Sequence, residues 1–297
     1  MSGTRGAGMP GIVDLTTGEG GLPLLRVSNE YAECEIYLYG AHVARYKRKG
    51  MEDLLWMSPT SPFSAGKAIR GGIPVCFPWF GPHRTSSELP QHGFARIRLW
   101  EHESSAGLAD GRTRITLSTT DDEATRAQWP YRFGAELTVT VGRELELSLL
   151  VENRDDEPFR YEDCFHTYFR VGRAFSCAVE GLDGVGYIDR GRSDVRAVQA
   201  GVLRPSGETV NAYMRSPSAC ALVDPLLKRR IDIAQAGCSS TVVWNPGEAT
   251  AAKNAEIGPA WNEFLCIESA NCLDTPVLLL PGTAHRSAVR FAAEEER

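Results

Sequence analysis

The chain has 297 residues, 42% hydrophobic and 24% charged, an ordinary globular composition with enough apolar material to bury a sizeable core. Its 32 Lys+Arg against 38 Asp+Glu give a net charge of −6, which excludes a surface-wide nucleic-acid interface because that needs a net basic face. The longest aliphatic run, residues 277–280, falls far short of the roughly twenty residues of a membrane helix. The first ten residues hold no apolar signal-peptide core either, so a cytoplasmic protein with no membrane partner is expected.

Residues 1–21 are rich in Gly, Ser and Thr and read as a poorly ordered leader. Beyond them the dominant period is two. Strand-like runs cover residues 33–46, 54–57, 97–102 and 113–118, and residues 121–128 can make two helical turns before Pro130. Leu137, Val139 and Val141 alternate with polar residues, as do Leu145, Leu147, Leu149 and Val151. Gly142-Arg143 between them predicts a two-residue hairpin with glycine at the first turn position. Further runs follow at 159–171, 219–223, 230–233, 240–244, 263–267, 277–280 and 287–291, with one helical turn at 259–264 and a charged tail at 292–297. A dozen or more strands with almost no helix must bury their sheets against each other. No composition shift marks a boundary, so residues 22–291 are expected to form a single all-β domain, a large antiparallel β-sandwich.

The eight cysteines include no C-x-x-C pair, and most lie in strand-like apolar runs. They read as buried reduced thiols, and no Cys/His cluster at zinc spacing implies a metal. Three stretches are chemically unusual. Residues 69–100 combine Arg70 beside Gly71-Gly72, the wall Phe77-Pro78-Trp79-Phe80, and the run Gln91-His92-Gly93-Phe94-Ala95-Arg96. Arginines among glycines and prolines suit a rigid loop that grips an anion through planar guanidinium forks, and aromatic faces suit the apolar side of a sugar. A turn-rich connection with buried aromatics gives the same composition. His166 sits in an aromatic strand, where it is either a general acid or a satisfied core histidine. Glu268 ends a nearly all-apolar run, so its carboxylate is paired, functional, or emerging into solvent.

Taken together, residues 66–81 (GKAIRGGIPVCFPWFG) and 91–96 (QHGFAR) resemble the glucose-6-phosphate 1-epimerase, or hexose-6-phosphate mutarotase, family of the aldose 1-epimerase superfamily. Later pieces agree in order: His166-Thr167-Tyr168-Phe169, Glu180-Gly181-Leu182-Asp183-Gly184, Val243-Trp244-Asn245-Pro246, Cys266-Ile267-Glu268 and Leu280-Pro281-Gly282. The likeness spans residues 22–291. It implies a sandwich of the galactose-mutarotase type and a cofactor-free interconversion of the α and β anomers of a hexose 6-phosphate, glucose 6-phosphate first. By the same resemblance His166 is the general acid and Glu268 the general base, while Arg70, Gln91, His92 and Arg96 take substrate-binding positions. Ring opening needs one proton removed from the C1 hydroxyl and another delivered to the ring oxygen, which a carboxylate and an imidazolium supply near neutrality.

The chain departs from the family pattern in places. Glu208-Thr209-Val210-Asn211-Ala212-Tyr213 stands where the family shows an Asp-Arg pair before a Tyr, and Asn211 is read as replacing the substrate-binding carboxylate. Gly247 follows Asn245-Pro246 in place of Trp, and Ser269-Ala270 follows Glu268 in place of Pro-Gly. Lys253 sits where the family often has a lysine. The partner implied is a small phosphosugar; the oligomeric state is left open by the residues, with a monomer favoured. The alternatives are a catalytically silent phosphosugar-binding protein on the same fold, and an epimerase of unphosphorylated aldoses with Arg70 and Arg96 idle.

Overall fold

The period-two pattern resolves into two large antiparallel sheets packed face to face. The computed structural model describes residues 12–295. One eight-stranded sheet runs in the order Ala178–Glu180, Ala219–Asp224, Arg229–Ala236, Ala284–Glu295, Leu145–Asn153, Phe133–Val141, Thr113–Thr120, Glu101–Gly107. The other, also eight-stranded, runs Val195–Val198, Gly186–Asp189, Thr209–Met214, Ser240–Asn245, Phe264–Asn271, Asp163–Phe165, Val75–Cys76, and Tyr168–Arg170 also pairs with Phe264–Asn271. A four-stranded sheet (Ile12–Thr17, Pro23–Ser28, Ala32–Tyr37, His42–Arg48) and a two-stranded ribbon (Phe159–Tyr161 with Val277–Leu279) complete the all-β sandwich.

Alternation explains the layers, because successive side chains of a strand face opposite sides. Leu137, Val139, Leu147, Ile231 and Phe291 of the first sheet join Phe165, Tyr213, Val243 and Ile267 of the second in one buried cluster. Phe169 meets Phe291 edge to face, ring centroids 5.2 Å apart, across the two sheets. Burying each such side chain contributes roughly 1.5–3 kcal/mol. The other face of the second sheet carries Cys164, Ala212, Val242 and Glu268, and that face builds the site.

Several sequence expectations need correction. Val141 pairs directly with Leu145, so Gly142, Arg143 and Glu144 form a three-residue loop, not a two-residue turn. Opposed residues share a face. Val141 and Leu145 both point inward, and a two-residue turn would have set Glu144 inward against Val141. The expected strand 33–46 is a hairpin, Ala32–Tyr37 and His42–Arg48, turning at Gly40, whose φ is 77°. A Cβ there would lie 2.7 Å from the Arg96 carbonyl oxygen. The run 159–171 divides into Phe159–Tyr161, Asp163–Phe165 and Tyr168–Arg170. Residues 54–57 make only isolated bridges, Leu55 to Phe169 and Met57 to Gly71.

The ends of the chain also differ. Ile12–Thr17 is a strand against Pro23–Ser28, so order reaches well into the expected leader; residues 1–11 lie outside the described residues. Ala284–Glu295 carries strand pairing into the charged tail, with Glu295 opposite Arg229, and residues 296–297 lie outside the described residues. The helix is found as Glu123–Gln128. Asp122 caps it by accepting from the Thr125 N–H (2.8 Å) while its own N–H donates to the Thr125 hydroxyl (2.8 Å). The expected turn at 259–264 is the 3₁₀ helix Gly258–Glu263.

Candidate active site

Strand register puts the chemistry on one face. Ala212 lies opposite Val242, and Val242 opposite Glu268. Cys76 lies opposite Cys164, and Cys164 opposite Ala270, two residues from Glu268. Tyr168 lies opposite Cys266 on the same face. Cys164, His166 and Tyr168, spaced by two, therefore line this face beside Glu268. The ladder breaks between Phe165 and Tyr168, where the His166 N–H donates to the Pro74 carbonyl at 3.0 Å.

His166 Nε2 stands 3.4 Å from Glu268 Oε1, and both side chains are buried. The imidazole stacks on Tyr168 (centroids 4.9 Å apart, planes 12°) and meets His92 and Trp244 edge-on at 5.3 and 5.7 Å. Its Nδ1 finds no partner among the described residues. Glu268 Oε2 accepts the Cys164 thiol at 3.2 Å. Burial, above all, holds both groups neutral: it pushes Glu268 well above the usual carboxylate range. It drives His166 well below the usual imidazole range, helped by the positive charges of Arg96 and Arg70. The expected carboxylate and imidazolium carry the same single proton as this neutral pair. Both directions favour that proton on Glu268 rather than on His166.

His92 is wired in a fixed tautomer. The Gly81 N–H donates to its Nδ1 at 3.2 Å, so the ring proton sits on Nε2. Its backbone is left-handed (φ 63°), a cost of about 1 kcal/mol or more, offset in part by its N–H donating to the Gly81 carbonyl at 2.7 Å. Gly93 beside it has φ 76°, and a Cβ there would lie 2.0 Å from the Phe77 carbonyl oxygen. Burial, then Arg96 and His166, keep the His92 ring neutral. The aromatic wall is clamped from below by Glu162, which accepts the Phe80 N–H (2.9 Å), the Leu273 N–H (2.8 Å) and Arg84 Nη2 (3.0 Å).

The two expected arginines differ in their partners. Arg70 gives Nε to Glu256 Oε2 at 2.8 Å and Nη1 to the Tyr168 hydroxyl at 3.1 Å. Among the described residues, Arg96 gives Nη2 only to the Gln91 carbonyl (2.8 Å), has no carboxylate within ion-pair distance, and leaves a buried Nε unpartnered. Desolvation accordingly pulls its guanidinium below the ordinary value. Gln91 itself is exposed at the rim and meets Arg96 through its backbone.

Asn211 is not in this site. It lies opposite Val243, which lies opposite Ile267, so its side chain faces away from Glu268 on the side of Tyr213. Its two chain neighbours, Val210 opposite Trp244 and Ala212 opposite Val242, share the Glu268 face. Counted by twos from the core residue Tyr213, Asn211 falls on the core face and Val210 on the other. Residues that sequence reasoning missed are Tyr168, Trp244, Glu256, Cys164 and Arg190. Arg190 Nη1 lies 3.6 Å from where a Cβ of Gly81 would stand, beside the His92 loop. Alternation from His166 and Glu268 points to Cys164 and Tyr168; nothing local marks Glu256 or Arg190.

His166, Cys266 and Glu268 bring one donor atom each within 4.8 Å of one another, the one such trio among the described residues. A thiol ligates as thiolate, and burial drives the Cys266 thiol well above its ordinary range. Among the described residues no helix is long and apolar enough to cross a membrane.

The aldose 1-epimerase family profile matches residues 23–292. A provisionally named glucose-6-phosphate 1-epimerase of Cenchrus ciliaris is 34% identical over 269 residues, covering 87% of this chain and 80% of the relative. One of Escherichia coli K12, under the same provisional name, is 32% identical over 266 residues, covering 89% and 88%. The crystal structure of a provisionally named mutarotase from Salmonella typhimurium superposes with a TM-score of 0.86 at 27% identity, over 96% of this chain and 97% of that one.

Proposed function

We propose that this chain, which belongs to the aldose 1-epimerase family and is a sugar epimerase, interconverts the α and β anomers of a hexose 6-phosphate, glucose 6-phosphate first. The observation that carries the phosphate is Arg96. A half-buried guanidinium with no carboxylate partner among the described residues and an orphaned Nε is costly to hold unpaired. It stands close enough to Arg70 for their charges to interact. A dianionic phosphate satisfies both by charge-assisted, bidentate hydrogen bonds. Arg190 adds a third cation near His92.

The acid–base step follows from the His166–Glu268 pair. The two oxygens on C1 of a cyclic sugar are close enough for two groups 3.4 Å apart to serve one each. The pair holds one proton, and phosphate at Arg70 and Arg96 offsets the positive charge that keeps His166 from being protonated. The proton then passes from Glu268 to His166. Glu268 Oε1 takes the proton of the C1 hydroxyl as His166 Nε2–H gives one to the ring oxygen, and the C1–ring oxygen bond breaks. Rotation about C1–C2 turns the aldehyde, and the reverse transfers close the ring on the other face. The protein ends with the proton it began with. His92, fixed as an Nε2–H donor, is suited to hold a sugar oxygen while the ring is open, and no cofactor takes part.

The test is substrate preference. Relaxation of freshly dissolved α-glucose 6-phosphate and of α-glucose is followed by polarimetry, and kcat/KM is expected to favour the phosphorylated sugar by at least about 100-fold, near 3 kcal/mol of charge-assisted binding. Equal values for the two sugars would overturn the phosphate reading.

A further inference from the structure

We propose that Cys164 is a positioning residue for Glu268, its thiol donating to Oε2 so that Oε1 alone is presented to His166 and the sugar. This rests on the reading of Glu268 as the group that exchanges a proton with substrate. The geometry is specific. The thiol reaches Oε2 at 3.2 Å, while Oε1 faces His166 Nε2 at 3.4 Å. A carboxyl rotates about its last bond, and without a partner on one oxygen nothing distinguishes the two. The donor comes from the adjacent strand, held in register by Cys164 opposite Ala270 and Phe165 opposite Ser269.

The surroundings make a thiol an apt donor. Facing Glu268 are the thiols of Cys76, Cys164, Cys266 and Cys272 and, on the sugar side, His166, Tyr168 and Arg96. Burial keeps the Cys164 thiol protonated far above its ordinary range, so it stays a donor throughout the working pH span. An S–H is a weak donor. It aims the carboxyl and favours the carboxylate a little, without trapping it as an anion that no longer takes part in proton exchange.

Removing the donor has a signature that simple packing lacks. The His166–Glu268 pair works while it holds one proton, so the upper limb of its pH profile marks loss of that proton. Without the thiol the carboxylate is less favoured. The limb moves to higher pH and the plateau falls, because the imidazolium–carboxylate arrangement is rarer.

The experiment compares wild type, Cys164→Ala, Cys164→Ser and Glu268→Gln by two readouts. One is the infrared C=O stretch of the Glu268 carboxylic acid, identified by its absence in Glu268→Gln and titrated in the others. The second is the pH profile of anomerisation. Cys164→Ala is expected to raise the titration midpoint and the upper limb by about half a unit to one unit, with a roughly 3- to 10-fold lower plateau. Cys164→Ser, which keeps a donor, is expected to restore both towards wild type. An unmoved midpoint in Cys164→Ala, with Glu268→Gln inactive, overturns the role of Cys164 alone. Wild-type activity in Glu268→Gln overturns the reading of Glu268 and this proposal with it.

Discussion

Arg70 and Arg96 approach the same imidazole, yet among the described residues only Arg70 has a carboxylate: its Nε meets Glu256 Oε2 at 2.8 Å, while Arg96 has none within ion-pair distance. This asymmetry leaves one net positive charge beside the His166–Glu268 pair. An anionic group on the substrate more than offsets that charge, and it does so where the charge also governs the proton.

Arg96→Gln is expected to raise KM for glucose 6-phosphate about 10- to 100-fold, a loss of roughly 1.5–3 kcal/mol for a charged hydrogen-bonding partner. Its effect on free glucose should stay within about 3-fold. Steady-state kinetics on the two sugars checks this, and equal losses on both would assign Arg96 a structural role only.

Val210 and Asn211 separate by face. Asn211→Asp is expected to leave kcat and KM within about 2-fold, since that side chain lies on the far side of the sheet from Glu268. Val210→Asp puts a carboxylate on the substrate face and should change KM at least about 5-fold. A large kinetic effect of Asn211→Asp with none from Val210→Asp would contradict the register.

Glu268, buried and held as the acid, costs the fold stability. Its folded value is raised, so it carries no penalty below the unfolded carboxylate value near 4.3 and an increasing one as pH climbs above it, about 1.4 kcal/mol per pH unit until the folded group ionises. Glu268→Gln should therefore raise Tm by several degrees at pH 8, at roughly 2–4 °C per kcal/mol, and by only about 2–4 °C at pH 5. Calorimetry at the two pH values decides it; an equal shift at both would show that Glu268 is not held as the acid.

Three buried histidines give the opposite limb. His42 is pushed down to about 3 by burial and by Arg96, and His92 and His166 are also driven well down. Their unfolded forms take up protons below about 6.5, so the folded state loses stability as pH falls from there, by about 1.4 kcal/mol per unit for each. The urea midpoint should drop steeply between pH 6.5 and pH 5, and His42→Gln should flatten that slope by one proton. An unchanged slope would mean that His42 is not buried as the neutral ring.

Much of this was legible in the residues. Alternation carried the sandwich, and motif order carried the family and the meeting of His166 with Glu268. What escaped was phase. The inward pairing of Val141 with Leu145 sets the three-residue turn, and counting from Tyr213 sets Val210 on the Glu268 face; both follow from period two when it is followed across the turn or ladder. Cys164 was legible as a buried thiol, but its bond to Glu268 needs two strands brought into register from distant parts of the chain. Glu256 lies between α and 3₁₀ turns with no pattern of its own, so its pairing with Arg70 is visible only in three dimensions.

The most direct measurement is exchange NMR between the α and β anomeric protons of glucose 6-phosphate, with catalytic amounts of wild type and of Glu268→Gln. Wild type is expected to speed exchange well above the uncatalysed background, and Glu268→Gln to lose at least about 100-fold of that acceleration while still binding the sugar. Line broadening from wild type with no faster exchange would contradict the account and identify a phosphosugar-binding protein that does no chemistry.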